Sequence, residues 1–128
     1  MDTPEEIAAL ATRVLDAIVA GDVEAAQACY APDARIWRNA IGIEHSLADN
    51  AAVLRAFVAG VPTRSYDERR LKVFPGGFVV RHVVRGVTHN GARLELPACI
   101  VGEVKDGKII RHDEYFDSVP VAALSRPA

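Results

Sequence analysis

The stretch Lys108-Ile109-Ile110-Arg111-His112-Asp113-Glu114-Tyr115-Phe116-Asp117, entered through Asp106-Gly107, reads as a strand rich in ionisable groups. Successive strand side chains point to opposite faces. Ile110, His112, Glu114 and Phe116 therefore share one side, and Ile109, Arg111, Asp113 and Tyr115 the other. Whichever side turns inward buries a carboxylate, which is costly unless the group is paired or hydrogen-bonded. A buried carboxylate next to a histidine is the equipment of acid/base chemistry: one group takes a proton, the other orients it or returns one. We place His112 and Glu114 inward, with Arg111 and Asp113 to solvent.

The run Phe78–Thr88 sorts in the same way. Phe78, Val80, His82, Val84 and Gly86 alternate with Val79, Arg81, Val83, Arg85 and Val87. Two arginines are costlier to bury than one histidine, so Val80, His82 and Val84 are expected to face in. In the next run Leu94, Leu96, Ala98 and Ile100 form the apolar face, opposite Arg93, Glu95 and Glu103. The candidate catalytic set is Glu114 as general base with His82 or His112 as acid or orienting partner. In an apolar surrounding the ionised form of Glu114 is disfavoured, which would raise its pKa toward the range useful for proton abstraction. The candidate pocket lining is Trp37, Asn39, Tyr30, Val80, Val84, Leu96, Ala98 and Phe116. A core histidine satisfied by a backbone carbonyl is the bland alternative for His82, a half-solvated lip position that for Glu114, and simple core packing that for Trp37. Tyr66 is a further hydroxyl without positional support.

The elements that must hold these groups follow from capping and periodicity. Thr3 and Glu6 form a capping box with Pro4 at the first helical position. Ile7, Leu10, Val14 and Ile18 then recur at helical spacing until Gly21. Asp22 caps a second, short helix expected over Val23 to Tyr30. A short strand, Arg35 to Asn39, precedes an irregular stretch through Ile41-Gly42-Ile43. Ser46 and Asp49 repeat the capping-box pattern for a third helix through Val58, stopped at Gly60. Beyond it the period changes to two. Strands are expected over Ser65 to Phe74, Phe78 to Thr88, Ala92 to Val104 and Lys108 to Phe116, with turns at Pro75-Gly76-Gly77, His89-Asn90-Gly91 and Lys105-Asp106-Gly107. The tail beyond Ser118 is expected to fray.

Helices followed by an antiparallel meander define an α+β protein. Strands this long exceed the usual length, so the sheet should curve around the helices. The expectation is one α+β barrel domain over residues 1–128: a cone-shaped, mostly antiparallel sheet wrapped around three N-terminal helices, with an interior pocket.

Composition narrows the function classes. With 128 residues the chain can bury a core without metal or disulfide staples. A formal charge of -2 and scattered arginines give no electrostatic case for nucleic acid or an anionic membrane surface. No apolar run is long enough to span a bilayer. The two cysteines, Cys29 and Cys99, lack the spacing of a zinc site and read as small buried hydrophobes on a helix and a strand. The N-terminus, acidic and helix-capped, is unlike a signal peptide, so a cytoplasmic protein is expected. No metal or cofactor is called for, since two histidines and a carboxylate on separate strands are not a ligand spacing. Val79, Val83, Val87 and Val101 leave the outer sheet face partly apolar, which points to a homodimer.

The chain resembles the SnoaL-like branch of the nuclear transport factor 2 superfamily, whose fold is also described as cystatin-like. The resemblance spans essentially the whole sequence. It rests on Ala20-Gly21-Asp22-Val23-Glu24, on Tyr30-Ala31-Pro32-Asp33-Ala34, and on Asp106-Gly107-Lys108-Ile109 leading to Glu114-Tyr115-Phe116-Asp117. Ile36-Trp37-Arg38-Asn39 and His82-Val83 are shared with a subgroup of bacterial SnoaL-like proteins. The superfamily includes isomerases, cyclases, dehydratases, epoxide hydrolases and binders without catalysis, so the resemblance implies fold more than reaction. Aligned with ketosteroid isomerases, the positions of the catalytic tyrosine and two aspartates hold Val14, Arg38 and, with one gap, Ile100. Aligned with limonene-1,2-epoxide hydrolases, one catalytic aspartate falls on Glu114 and the arginine on Arg81, but the other aspartate falls on Val83. In polyketide cyclases the general base falls on Glu114 and a histidine on His112. The resemblance thus implies an acid/base enzyme of isomerase, cyclase, dehydratase or hydrolase type acting on a small hydrophobic carbonyl compound. The alternative is a ligand-binding or dimerisation module of the same fold.

Overall fold

The computed structural model describes residues 2–117; the C-terminal tail lies outside them. Helix α1 spans Pro4–Ala20, and both halves of the Thr3/Glu6 capping box are formed. Gly21 ends it in the left-handed region at φ 77°, a backbone conformation that suits glycine. Helix α2 runs only from Val23–Gln27, shorter than its sequence suggests. Tyr30 is already in strand β1 (Tyr30–Arg38), which takes over the segment expected to finish the helix. The reason is tertiary: the Cys29 carbonyl accepts from Ile109 N–H, and Tyr30 pairs with Ile109, so the last strand draws this segment into the sheet. Cys29 consequently lies in the connection between α2 and β1, not on a helix. A two-residue strand β2 (Glu44–His45), invisible to periodicity, pairs with β1 ahead of helix α3 (Leu47–Gly60). The Ser46/Asp49 capping box opens α3 as expected.

The remaining strands are β3 (Thr63–Phe74), β4 (Gly77–Val87), β5 (Arg93–Lys105) and β6 (Lys108–Phe116). The sheet order is β2-β1-β6-β5-β4-β3. All neighbours are antiparallel except β1 and β6, which run parallel. The sheet curves but does not close: β2 and β3 remain its edges, so the domain is a cone and not a barrel. Bulges help the curvature by adding local twist. The one in β3, between Asp67 and Arg70, holds Glu68 at φ 53° and lets Arg69 reach Asp16 on α1 at 2.7 Å.

The core lies between the concave sheet face and the helices. Ile7, Leu10, Val14 and Ile18 of α1 meet Phe78, Val80, Ile100 and Ile109 of the sheet. Gly102 leaves room for the Phe78 ring, which a Cβ at that position would strike. Val61, Val84, Leu94, Leu96 and Ala98 form a second cluster near the mouth of the cone. The faces sort as the alternation suggests: Val80, His82 and Val84 are buried, whereas Arg81 is exposed and Arg85 pairs with Asp67, Glu68 and Glu95 outside. No helix among the described residues is long and apolar enough to cross a membrane.

Candidate functional site

Between α3, the end of α1 and the sheet lies a cavity of about 700 Å³. Its apolar wall includes Ile18, Leu54 and Phe57 from the helices and Leu96, Ile100 and Phe116 from the sheet. Its polar wall is Arg38, Tyr66, His89, His112 and Glu114. This volume is that of an ordinary small-molecule pocket.

The register of the parallel pair builds the polar end. Ile36 sits beside His112 and Arg38 beside Glu114, so one inward face carries all four. Glu114 Oε1 accepts from His112 Nε2 at 2.9 Å and from Arg38 Nε at 3.3 Å. Glu114 Oε2 has no partner among the described residues. Arg38 is only 7% exposed, and its Nη2 donates to Asn50 Oδ1 at 2.9 Å. Asn50 in turn donates to Gln27 Oε1 at 2.8 Å, and Gln27 to the Leu47 carbonyl at 2.7 Å. At the other end, Tyr30 Oη lies 2.8 Å from His112 Nδ1. A continuous chain thus runs from Tyr30 through His112, Glu114, Arg38, Asn50 and Gln27.

The electrostatics of Glu114 contradict the sequence expectation. Burial pushes its pKa up, but the hydrogen bond from His112 and the charges of Arg38, His112 and His82 outweigh burial and hold it down at about 2. Glu114 is therefore ionised and can only accept, which fixes the proton of the shared bond on His112 Nε2. Burial raises the pKa of Tyr30, keeping its hydroxyl protonated 2.8 Å from His112 Nδ1.

His82 does not join this chain. It is 1% exposed, absent from the cavity wall, and packs against the Tyr66 ring at a centroid distance of 4.8 Å. Neither of its ring nitrogens makes a hydrogen bond of acceptable geometry. Burial lowers its pKa, opposed by the Glu114 charge and a weaker effect of the Val80 backbone.

Several expected lining residues lie elsewhere. Trp37 is on the outer face, edge-on to Tyr115 at 5.3 Å, because Ala34, Ile36 and Arg38 point inward instead. Asn39 clamps the backbone of Phe116, with its Nδ2 donating to the carbonyl at 2.9 Å and its Oδ1 accepting from N–H at 3.0 Å. Tyr30 reaches the site only through His112. Val80, Val84 and Ala98 face inward but are core and not cavity wall, whereas Leu96 and Phe116 do line it. Arg38, Tyr66 and His89 are the polar wall residues the sequence reading did not place there. The apolar alternation of Ala34 and Ile36 was the available signal for Arg38. Among the described residues no cluster of three His, Cys, Asp or Glu is arranged to hold a metal ion.

Three helices against an open, curved sheet, with an apolar cavity ending in a buried carboxylate, define a protein of the nuclear transport factor 2-like fold. The SnoaL-like domain profile matches residues 11–112, and the chain belongs to that family. Glu114 and Phe116 lie just past the matched segment. Solved structures agree on the fold. A candidate polyketide cyclase of Xanthomonas campestris pv. campestris superposes with a TM-score of 0.84 at 22% identity, over 94% of this chain and 97% of that one. PrhC from Penicillium brasilianum gives 0.84 at 18% identity, over 96% and 87%. A nuclear transport factor 2-like protein of Burkholderia xenovorans gives 0.80 at 19%, over 97% and 98%. No curated protein matches the sequence.

Proposed function

We propose that this protein is an acid/base enzyme acting on a small, hydrophobic, carbonyl-bearing molecule, with Glu114 as the proton acceptor. One observation carries the reading. Glu114 is an ionised carboxylate at the polar end of a mostly apolar cavity, and both of its partners engage Oε1, leaving Oε2 for a substrate proton. His112 holds the carboxylate in place through Nε2–H, and Tyr30 holds His112. The name of the similar Xanthomonas protein, a candidate polyketide cyclase, is compatible with this class of chemistry.

Deuterium exchange tests it. With an aryl methyl ketone in heavy water, the protein should speed deuterium incorporation next to the carbonyl. Glu114→Gln should reduce that rate by the ~10²–10⁴-fold typical of losing a general base. Asp113→Asn should leave it unchanged, because Asp113 pairs with Arg111 on the outer face. Exchange undiminished in Glu114→Gln would refute the assignment.

A non-catalytic binder is the second reading. It is favoured by the low pKa of Glu114, which makes the carboxylate a firm hydrogen-bond acceptor but a weak base. Saturable ligand binding without any exchange would select it.

We also propose that two copies associate through the outer sheet face, where Tyr115 is 49% and Val87 40% exposed beside half-buried Trp37, Val79, Val83 and Val101. Sedimentation at micromolar concentration should give twice the 13.8 kDa chain mass; a monomer would refute it.

A further inference from the structure

The C-terminal half of α3 has no core beneath it. Leu54 is the last buried residue of the helix, and Val61, just past its end, is the next. From Arg55 to Gly60 every residue is half-buried or exposed. Ala56, Phe57, Ala59 and Gly60 line the cavity. The span is an arch over that cavity, and it lacks the apolar burial that lets an element resist local opening.

The far foot of the arch is held by a cation from another element. Arg64, on β3, donates from Nε to the Ile18 carbonyl at 2.9 Å and from Nη1 to the carbonyls of Val61, Pro62 and Val58 at 3.0, 3.4 and 3.5 Å. Neither α1 nor α3 has a basic residue in its last turn, so one guanidinium serves the negative ends of both helices. It meets no carboxylate among the described residues and is absent from the cavity wall. Gly21 gives it room, since a Cβ there would lie 2.5 Å from Nη2. A second tie, from His89 N–H to the Gly60 carbonyl at 2.8 Å, uses backbone alone. α1 itself is fixed by Ile7, Leu10 and Val14 in the core. Arg64 thus fastens a weakly packed helix end to a firmly packed one.

We propose that the segment Arg55–Gly60 is the gate of the cavity and that Arg64 is its latch. When the arch lifts, the bonds from Nη1 to α3 and to the residues just past it break, while Nε keeps its hold on α1. Phe57 then moves off the cavity and a largely apolar molecule can pass. Once inside, that molecule supplies the packing the arch lacks, so occupancy closes the gate. Arg64 is a positioning residue: it sets how often the cavity opens and touches nothing within it. The proposal holds whether Glu114 acts as a base or only as a hydrogen-bond acceptor.

The test compares wild-type protein with Arg64→Met, using N-phenyl-1-naphthylamine, an uncharged fluorescent probe, in stopped-flow mixing. Binding that waits on an opening is slow, so easier opening speeds entry and exit together. Both rate constants should rise roughly tenfold or more in Arg64→Met, the effect of losing charge-assisted hydrogen bonds, while affinity changes far less. A residue with a merely structural role would weaken affinity without speeding entry. Arg69→Met removes another tie between β3 and α1, the ion pair with Asp16 at 2.7 Å, and should leave both rates unchanged. Hydrogen exchange requires no variant: in wild-type protein the probe should slow the amides of residues 57–61 more than those of residues 7–14. This second measurement decides the matter if Arg64→Met fails to fold. Unchanged rates in Arg64→Met, an affinity loss carried by dissociation alone, equal protection of the two segments, or no probe binding up to its solubility limit overturns the proposal.

Discussion

Arg38 Nε and Glu114 Oε1 lie 3.3 Å apart because β1 and β6, near opposite ends of the sequence, pair in parallel with these two residues in register. Their side chains are 8% and 15% exposed, so the pair is largely withdrawn from water. Removing one partner of such a pair strands the other charge, which typically costs about 3–5 kcal/mol. The double variant Arg38→Met/Glu114→Gln should therefore lose less stability than the sum of the two single losses. Urea titration of all four proteins measures the coupling. Strict additivity would mean that the pair is energetically idle.

The pKa of Glu114 falls on folding, from an ordinary 4.5 to about 2, so the unfolded chain takes up a proton before the folded one does. Its contribution to stability is complete above about pH 4.5 and is lost as the pH drops toward 2. His82 acts earlier. Its folded pKa is lowered, so the unfolded chain is protonated first and stability declines once the pH falls below the ordinary 6.5. Thermal melts from pH 7 downward should show both limbs, with Glu114→Gln flattening the lower and His82→Leu the upper.

Tyr30→Phe removes the hydroxyl 2.8 Å from His112 Nδ1 and little else. It should cost about 1 kcal/mol in stability, as for a single buried hydrogen bond. The distinctive readout is nitrogen NMR of His112: without Tyr30 the Nδ1 resonance should move toward that of an unbonded imidazole nitrogen, while Nε2 stays protonated toward Glu114.

Gly102→Ala would drive a methyl group into the Phe78 ring, itself only 1% exposed. Overpacking of this kind costs about 1–3 kcal/mol. Restoring volume with Phe78→Leu in the same chain should recover part of the loss, whereas two independent losses would show that the ring and the glycine do not share the space.

The thiols should separate by burial. Cys29 is 2% exposed and burial raises its pKa, so it should resist a thiol reagent until the protein unfolds. Half-buried Cys99, on β5, should react first. Equal rates in the native protein would contradict the packing around Cys29.

Local interactions were legible in the sequence because they are encoded over a few residues. Both capping boxes, the stop at Gly21, and the alternation of β4 and β5 depend on neighbours a few residues apart, and the structure forms them; in β6 the alternation holds from His112 onward, whereas Ile109, expected on the outer face, is buried in the core. The inward placement of His112 followed from the same alternation. What depended on partners distant in sequence was not legible. Tyr30 left its helix for a strand because β6 supplies a pairing partner about 80 residues later. The faces of β1 hinged on that pairing too, which turned Trp37 outward and Arg38 inward. The charge state of Glu114 was decided there as well. Alternation could bury the carboxylate, but only the parallel register brings Arg38 against it, and that neighbour, with His112, converts an expected rise in pKa into a fall.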